Sequence, residues 1–441
     1  MKYIIIPLVL LLSLVCSRSF AANICSHEDS VITLKPSDLL LESDSTYSKF
    51  QFSLLPFIGS KGKYSTAETV DYSFNLLGGY NRNIRKAEFA GFFNADLGNV
   101  RWFQYAGVGN FVAKDVSGFQ MAGCINLVQG KLEGVQISGI GNHVKDEATG
   151  VQISGIYNLN QGRSNTIQYG GILNQNNDTV YGVQFAGIVN NNMKDGKVIS
   201  FAGLINQQWG NLQGAQISGL SNVVNKNMDG VQVTGFANIS NGIHRGSQIA
   251  GFLNVANKIS GSQIGVFNIA DSITGIPVGL FSYANNGYHK LEISANETFY
   301  LNAAFHTGVK AFHNIFSVGI RPDSSRYPVW YAGYGFGSSI TLSPHVSLLL
   351  NITSAQISRG DIPPKMNLLN KGFIGVDVRV AKKISITTGP ELNAWFTNPQ
   401  YKDYPTLFGD IQPNVFYHEQ SKNKKFDAKM WIGWKFGVRF F

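Results

Sequence analysis

The sequence predicts an all-β chain in two parts: an array of sixteen-residue repeats, then antiparallel strands that close into a barrel. The first observation is composition. Glycine fills 48 of 441 positions, Phe and Tyr a further 30 and 18, and charged residues only 14%. That is about twice the usual glycine share and well under the usual quarter of charge. Such a chain suits short, closely packed strands, because each interior glycine costs a helix about 1 kcal/mol relative to Ala. A hydrophobic content of 44% is enough to bury a core and excludes a disordered chain. The second observation is a phrase that returns at a fixed interval. The third is strict apolar–polar alternation in the last third of the chain, the period of a strand.

The phrase is Gly-φ-Gln-φ-small-Gly-φ-x-Asn, with φ apolar. Its copies are marked by Gln120, Gly123 and Asn126; by Gln136, Gly139 and Asn142; and by Gln152, Gly155 and Asn158. They continue with Gln184, Gly187 and Asn190; Gln216, Gly219 and Asn222; Gln232, Gly235 and Asn238; and Gln248, Gly251 and Asn254. The glycine column runs from Gly91 to Gly251, and the asparagine column from Asn94 to Asn254, in steps of sixteen without insertion. A degenerate copy (Asn75, Gly78, Asn81) precedes them, and two copies shortened to fourteen residues follow at Gly265 and Gly279.

Three apolar columns accompany the phrase. One lies four before the Gln (Val116, Leu132, Met228), one just after it (Met121, Ile137, Ile153) and one just after the central glycine (Cys124, Ile140, Ile156). Their offsets are five and three, whereas one face of a flat strand needs even offsets. The chain must therefore bend at each glycine. Bends between short inward-facing segments describe one coil of a parallel β-solenoid, in which Asn and Gln side chains would stack as ladders. The alternative is one antiparallel strand per repeat, continuing a single large barrel. Outer-membrane barrels alternate short turns with longer loops, and the uniform connections here favour the solenoid.

From about residue 284 the repeat gives way to segments read as strands over 290–296, 299–308, 311–320, 329–342, 345–357, 371–381, 383–396 and 429–441. In the last of these Met430, Ile432, Trp434, Phe436, Val438 and Phe440 share a face, opposite Gly433, Lys435, Gly437 and Arg439. Ile374, Val376, Val378 and Val380 do the same opposite Asp377 and Arg379. A lipid-facing wall around a polar lumen produces this pattern, and Trp330, Tyr331, Tyr334, Trp395, Trp431 and Trp434 could form interfacial girdles. Segments 50–59 and 70–81 read as two further strands that could close the barrel.

The first 21 residues read as a secretion signal: Lys2, an apolar run from Ile4 to Cys16, and Ser19-Phe20-Ala21 placing cleavage after Ala21. Val15 is too large for a lipoprotein site at Cys16. Cleavage removes Lys2 and Arg18, lowering the formal charge from +9 by two. The chain thus divides into a signal at 1–21, an N-terminal segment with a possible barrel strand at 22–69, repeats at 70–283 and barrel strands at 284–441. Cys25 and Cys124 would be the mature cysteines; an oxidising periplasm would permit a bridge between them, and a loose terminal thiol with a core Cys is the favoured reading.

The ending Phe440-Phe441 resembles the terminal-Phe signal that marks outer-membrane barrels for the assembly machinery, although the apolar face is in phase with Phe440. The repeat is similar to that of the bacterial surface-repeat proteins, over about residues 75–283. Gly275-Ile-Pro-Val-Gly279 and Asn286 to Ser294 look like the junction seen in such proteins. The resemblance implies export to the outer membrane or cell surface of a Gram-negative bacterium, and no activity.

No catalytic chemistry emerges from the residues. The eight histidines, from His27 to His418, lack metal-ligand spacing. No Gly-Lys-Ser/Thr phosphate loop and no Gly-x-Ser-x-Gly elbow occurs. Asp323, Asp361, Asp377 and Glu391 could be paired only by folding. The expectation is a non-enzyme without cofactor, metal or nucleic-acid partner, touching outer-membrane lipid, the barrel-assembly machinery and an unidentified surface ligand or protein. Its class is either a structural or interaction protein using the repeat array as a recognition surface, or a pore for small polar solutes.

Overall fold

The computed structural model describes residues 46–322, 327–360, 367–399, 414–421 and 426–441. The signal segment, its cleavage site, Cys25, Asp323 and Asp361 lie outside them. The described chain is almost entirely strand: a parallel β-solenoid of about 14 turns, then a closed eight-stranded antiparallel barrel.

One solenoid coil shows how the repeat folds. Leu132–Ser138 forms a seven-residue strand, Gly139-Ile140 turns the corner, and Gly141–Val144 forms a four-residue strand. Lys145 to Glu147 turns the second corner, and Ala148–Ser154 begins the next coil directly above. Register through the central coils is sixteen: Leu132 pairs with Ala148, Gln136 with Gln152, Ser138 with Ser154, and Asn142 with Asn158. The glycine corner is obligatory for a steric reason. A Cβ on Gly139 would overlap the carbonyl oxygen of Gly123 one coil below, and the same collision recurs at Gly155, Gly171 and Gly187.

The interior is not the one the apolar columns suggest. Only the column four before the Gln faces inward, as buried Val116, Leu132, Val180, Leu212 and Met228. The columns after the Gln and after the central glycine face outward: Met121, Ile153, Tyr169, Ile140, Ile156 and Leu220 are exposed. The reason is alternation. Gln and Asn occupy the inward positions flanking the corner, so their sequence neighbours must point away. Cys124 accordingly sits half-buried on the outward corner rather than in the core.

Segments 50–59 and 70–81 do not join the barrel. Tyr47–Leu55 pairs in parallel with Thr69–Asn75, which pairs with Asn83–Ala90, so they are the first coils of the solenoid.

The barrel strands are β1 (Tyr288–Ala295), β2 (Leu301–Val309), β3 (Phe312–Arg321), β4 (Val329–Thr341), β5 (Val346–Arg359), β6 (Asn367–Ala381), β7 (Ile384–Thr397) and β8 (Asp427–Phe440). Each pairs with the next, and β8 returns to β1 through Leu291↔Phe440 and Ala295↔Phe436. A short strand, Val415–Gln420, covers the other half of the same β8 edge. Between them Glu297 fills the seam. Its carboxylate accepts hydrogen bonds from the Trp434 backbone N–H at 3.1 Å, Trp431 Nε1 at 2.9 Å and Asn393 Nδ2 at 3.1 Å.

Because each coil contacts only its neighbours, stability should be close to a sum over coils. Deleting Gly134 to Thr149 restores every column in register and should leave a protein one coil shorter with its protease resistance intact. Deleting eight residues, Gly134 to Gly141, should abolish that resistance, since it opposes long strands to short ones.

Candidate functional site

Three features of the molecule carry chemistry: the amide ladders, the two dissimilar corners of the solenoid, and the barrel lumen.

The repeat residues form two ladders running through the solenoid. Asn126 Nδ2 donates to Asn142 Oδ1, Asn142 to Asn158, and Asn158 to Asn174, each at 2.9 Å. The chain of donors continues through Asn190, Asn222 and Asn238 to Asn254. The same amides also donate to backbone carbonyls of the next coil, as Asn126 does to Ile137 O at 2.8 Å. The glutamines run the opposite way. Gln136 Nε2 donates to Gln120 Oε1 at 2.7 Å, Gln152 to Gln136 at 3.0 Å, and Gln248 to Gln232 at 2.8 Å. Ser200 interrupts this ladder by donating to Gln184, and it resumes where Gln232 donates to Gln216. All these side chains are buried, so the ladders are structural rather than ligand-binding surfaces.

Near its N-terminal end the glutamine column contains an acid. Glu88 stands one coil before Gln104, and its carboxylate accepts hydrogen bonds from Asn75 Nδ2, Asn81 Nδ2 and Gln104 Nε2 at 2.9, 2.6 and 2.8 Å. Asp96 lies against it, equally buried, and shares Gln104 Nε2 at 2.6 Å. Burial, and then the Glu88 charge beside it, pushes the Asp96 carboxyl well above its ordinary range, and burial raises Glu88 too.

The two corners differ in kind. At one, the glycine is always followed by an apolar residue, from Phe92 through Ile140 and Ile188 to Leu280. The outward columns beside it, through Tyr169, Phe185 and Phe201 and through Ile125, Tyr157 and Leu173, contain no charged residue. Rings stack along this edge, as in Tyr169–Phe185–Phe201 and Phe236–Phe252. At the other corner lie Lys131, Lys145, Asp146, Glu147, Arg163, Asp178, Lys194 and Asp195. Asp115 and Asp195 there accept the backbone N–H of Lys131 and Asn211, each at 2.8 Å.

The barrel is polar within and apolar without. Glu292 is the centre of its lumen, with Lys435 Nζ at 2.9 Å, Arg439 Nε at 3.0 Å and His306 Nε2 at 3.5 Å. Arg439 also donates to Tyr288 Oη at 2.7 Å. Glu391, with Lys371 at 3.6 Å and Asn296 Nδ2 at 2.7 Å, forms a second group. The space left between them is a cavity of about 40 Å³, room for a few waters. Phe299, Tyr331, Trp395 and Trp431 fill one end with Val329, Ile357 and Leu369. Tyr331, Trp395 and Trp431 therefore point inward and cannot serve as girdle residues, because the strand phase places them on the lumen side with Lys435. Of the proposed aromatics, Trp330, Tyr334 and Trp434 are on the outward phase of their strands, Trp434 exposed beside Ile432 and Phe436. Phe440 shares that outer face, and Phe441 follows it beyond the strand.

The ion-pair set around Glu292 was not singled out from the sequence. Its only signal there is the position of Lys435 and Arg439 opposite the apolar face. Asp377 and Glu391 do not come together. Among the described residues no three His, Cys, Asp or Glu side chains are grouped as metal ligands, and no helix is long and apolar enough to cross a membrane. Comparison with protein-family models, with curated proteins and with solved structures returned no match.

The raised Asp96 carboxyl gives a pH prediction. A carboxyl raised on folding contributes fully below its unfolded pKa, and that contribution is lost as pH rises through the folded value. Asp96→Asn cannot titrate. Its melting temperature should exceed that of the parent at pH 8, and the advantage should shrink steadily towards pH 4.

Proposed function

We propose that the chain is an outer-membrane protein without catalytic activity, in which the barrel is an anchor and the solenoid a structural or interaction array. The observation that carries this reading is the inverted barrel. Ile352, Ile374, Ile432 and Phe436 stand on its outer wall at 71, 57, 65 and 55% exposure, while Glu292, Lys435 and Arg439 are at most 8% exposed inside. In water that arrangement forfeits the main favourable term in folding. In a bilayer it is the required one, with closed strands satisfying every ladder hydrogen bond. The secretion signal read in residues 1–21 and the terminal Phe440-Phe441 agree with export and barrel assembly.

The alternative of a pore for small polar solutes loses support from the lumen. Eight strands leave an interior just wide enough for side chains to fill, and here ion pairs and aromatic rings occupy it. The lumen network also changes how the last strand should respond to mutation. Lys435 cannot be exchanged lightly for Glu, since the new carboxylate would meet Glu292.

The test is a charge placed on the outer wall. Ile374→Arg should cost about 2–4 kcal/mol near a bilayer midplane, but within about 0.5 kcal/mol if the position faces water. The parent should fractionate with outer membranes and shift between unboiled and boiled gel samples; Ile374→Arg should lose most of the unboiled folded band. Equal folded yield of the two in membranes, or recovery of the parent in the soluble periplasm, would refute the reading.

A further inference from the structure

The charge-free corner of the solenoid and the outer wall of the barrel are one continuous surface. The last coil does not cap the barrel mouth. It lies flat against the wall, over β2 to β4. Ser282 N donates to Asn314 Oδ1 at 3.1 Å, and Thr307 Oγ1 donates to Ser282 O at 2.7 Å. Asn314 Nδ2 and Tyr334 Oη both donate to Gly279 O, at 2.7 and 3.2 Å. Asn314 and Thr307 stand on the outward phase of their strands and are nonetheless fully buried, because the coil covers them. Above them the apolar edge runs without a break into the wall: Phe252–Phe267–Phe281–Phe316 follow at ring-centroid distances of 5.1, 6.4 and 6.1 Å.

This seat fixes both direction and tilt. A coil lying flat on the wall sends its stacking axis away from the wall, and so across the direction of the barrel strands. The Gly279-Leu280 corner is held by Asn314, two residues above the start of β3, and by the Tyr334 hydroxyl, whose strand position pairs with Phe316 four residues above it. That places the corner roughly 5–10 Å along a tilted strand from the β2–β3 turn. The opposite corner, at Asn285 to Gly287, lies level with the turn itself. That turn belongs to the short-turn end of the barrel. Two residues join β2 to β3, four join β4 to β5 and two join β6 to β7. Seven residues part β3 from β4, and seven part β5 from β6. Short turns mark the periplasmic side of outer-membrane barrels.

We propose that the solenoid lies in the plane of the membrane the barrel crosses, on its periplasmic leaflet, with the Gly-φ corner sunk among the acyl chains. The charged corner faces the periplasm. The proposal rests on the membrane reading of the barrel. Its occupant is lipid rather than protein, because the corner continues the lipid-facing wall at the depth of that wall. Segregation of charge to the other corner is the amphipathic pattern that seats an element about 5–10 Å into the boundary of headgroups and acyl chains. From Phe92 to Leu280 the corner repeats thirteen times, and at strand spacing that makes an edge roughly 60 Å long. The repeat array is then a rail along the inner surface of the outer membrane, and a partner would meet its charged corner from the periplasm.

Single cysteines carrying an environment-sensitive fluorophore would test this in the full chain with native cysteines replaced by Ser. The protein is reconstituted in phosphatidylethanolamine–phosphatidylglycerol vesicles, and quenching by doxyl-labelled phospholipid is compared with quenching by iodide. Ile156→Cys and Ile188→Cys report the apolar corner, Asp146→Cys the charged corner, and Ile374→Cys the barrel wall. Ile156→Cys and Ile188→Cys should lose most of their fluorescence to doxyl lipid and little to iodide, as Ile374→Cys does, while Asp146→Cys should do the reverse. If the two corner probes follow Asp146→Cys while Ile374→Cys stays lipid-quenched, the rail is refuted and the barrel reading stands. Shielding of the corner from both quenchers would refute it in favour of a protein cover such as a second copy. An Ile374→Cys probe insensitive to doxyl lipid would overturn both.

Discussion

Everything in the solenoid follows from placing two amides per coil at the inward positions beside a glycine corner. A buried amide left unpaired costs about 1–3 kcal/mol. Each Asn and Gln here finds its partner in the coil above or below, at the same position sixteen residues away. The ladder thus penalises any change of register, and the glycine corner, with no room for a Cβ, penalises any change of shape. The fourteen-residue copy at Gly265 keeps the rule, since Asn254 Nδ2 still reaches Asn268 Oδ1 at 2.9 Å. In the last copy, at Gly279, Pro277 and Ser282 take the two amide positions, and Asn268 Nδ2 ends the ladder on Ser282 Oγ at 3.3 Å. The two residues lost come from outside the ladder positions.

The same constraint shapes the outer surface. With amides inside at the corner, alternation sends the adjoining Ile, Phe and Tyr outward. The barrel reaches a comparable arrangement by another route, since its lumen gathers Glu292, Lys435, Arg439 and His306 and leaves the outer wall to apolar side chains. Two modules with different topologies therefore present one apolar surface, joined at Phe281 and Phe316. Ion pairs such as that of Lys194 with Asp178 at 2.8 Å decorate the opposite corner and, being exposed, add little stability.

Much of this was legible in the sequence, for identifiable reasons. Glycine and asparagine steps of sixteen specify a coil because only a repeated backbone geometry tolerates them. The alternation in β8 specified which residues face the lumen. What could not be read was direction at the corner. Apolar columns beside glycine look like a core when burial of apolar area is the expected driving force, and only the ladder geometry shows that Gln136 and Asn142 claimed the interior first. The same phase error put Tyr331, Trp395 and Trp431 among girdle residues. The first coils were misassigned because Tyr47–Leu55 has the length of a barrel strand and no repeat phrase; its parallel partner Thr69–Asn75 decides the matter. The seam carboxylate Glu297 has no sequence signal, since its role exists only where β1 stops short of the end of β8.

The central claim is that the amide ladder, not apolar packing, holds the corner together. Replacing Asn158 by Leu separates the two, because Leu has nearly the same size and would gain by burial in an apolar core. It would also strip the Asn142 amide of an acceptor, the Asn174 oxygen of a donor and the Tyr169 carbonyl of its 2.9 Å partner. Amide hydrogen exchange, resolved coil by coil, measures the outcome directly. The account predicts faster exchange in Asn158→Leu, confined to the coils from about Leu132 to Phe185, with distant coils and the barrel unchanged. Protection in those coils equal to or greater than that of the parent would contradict it.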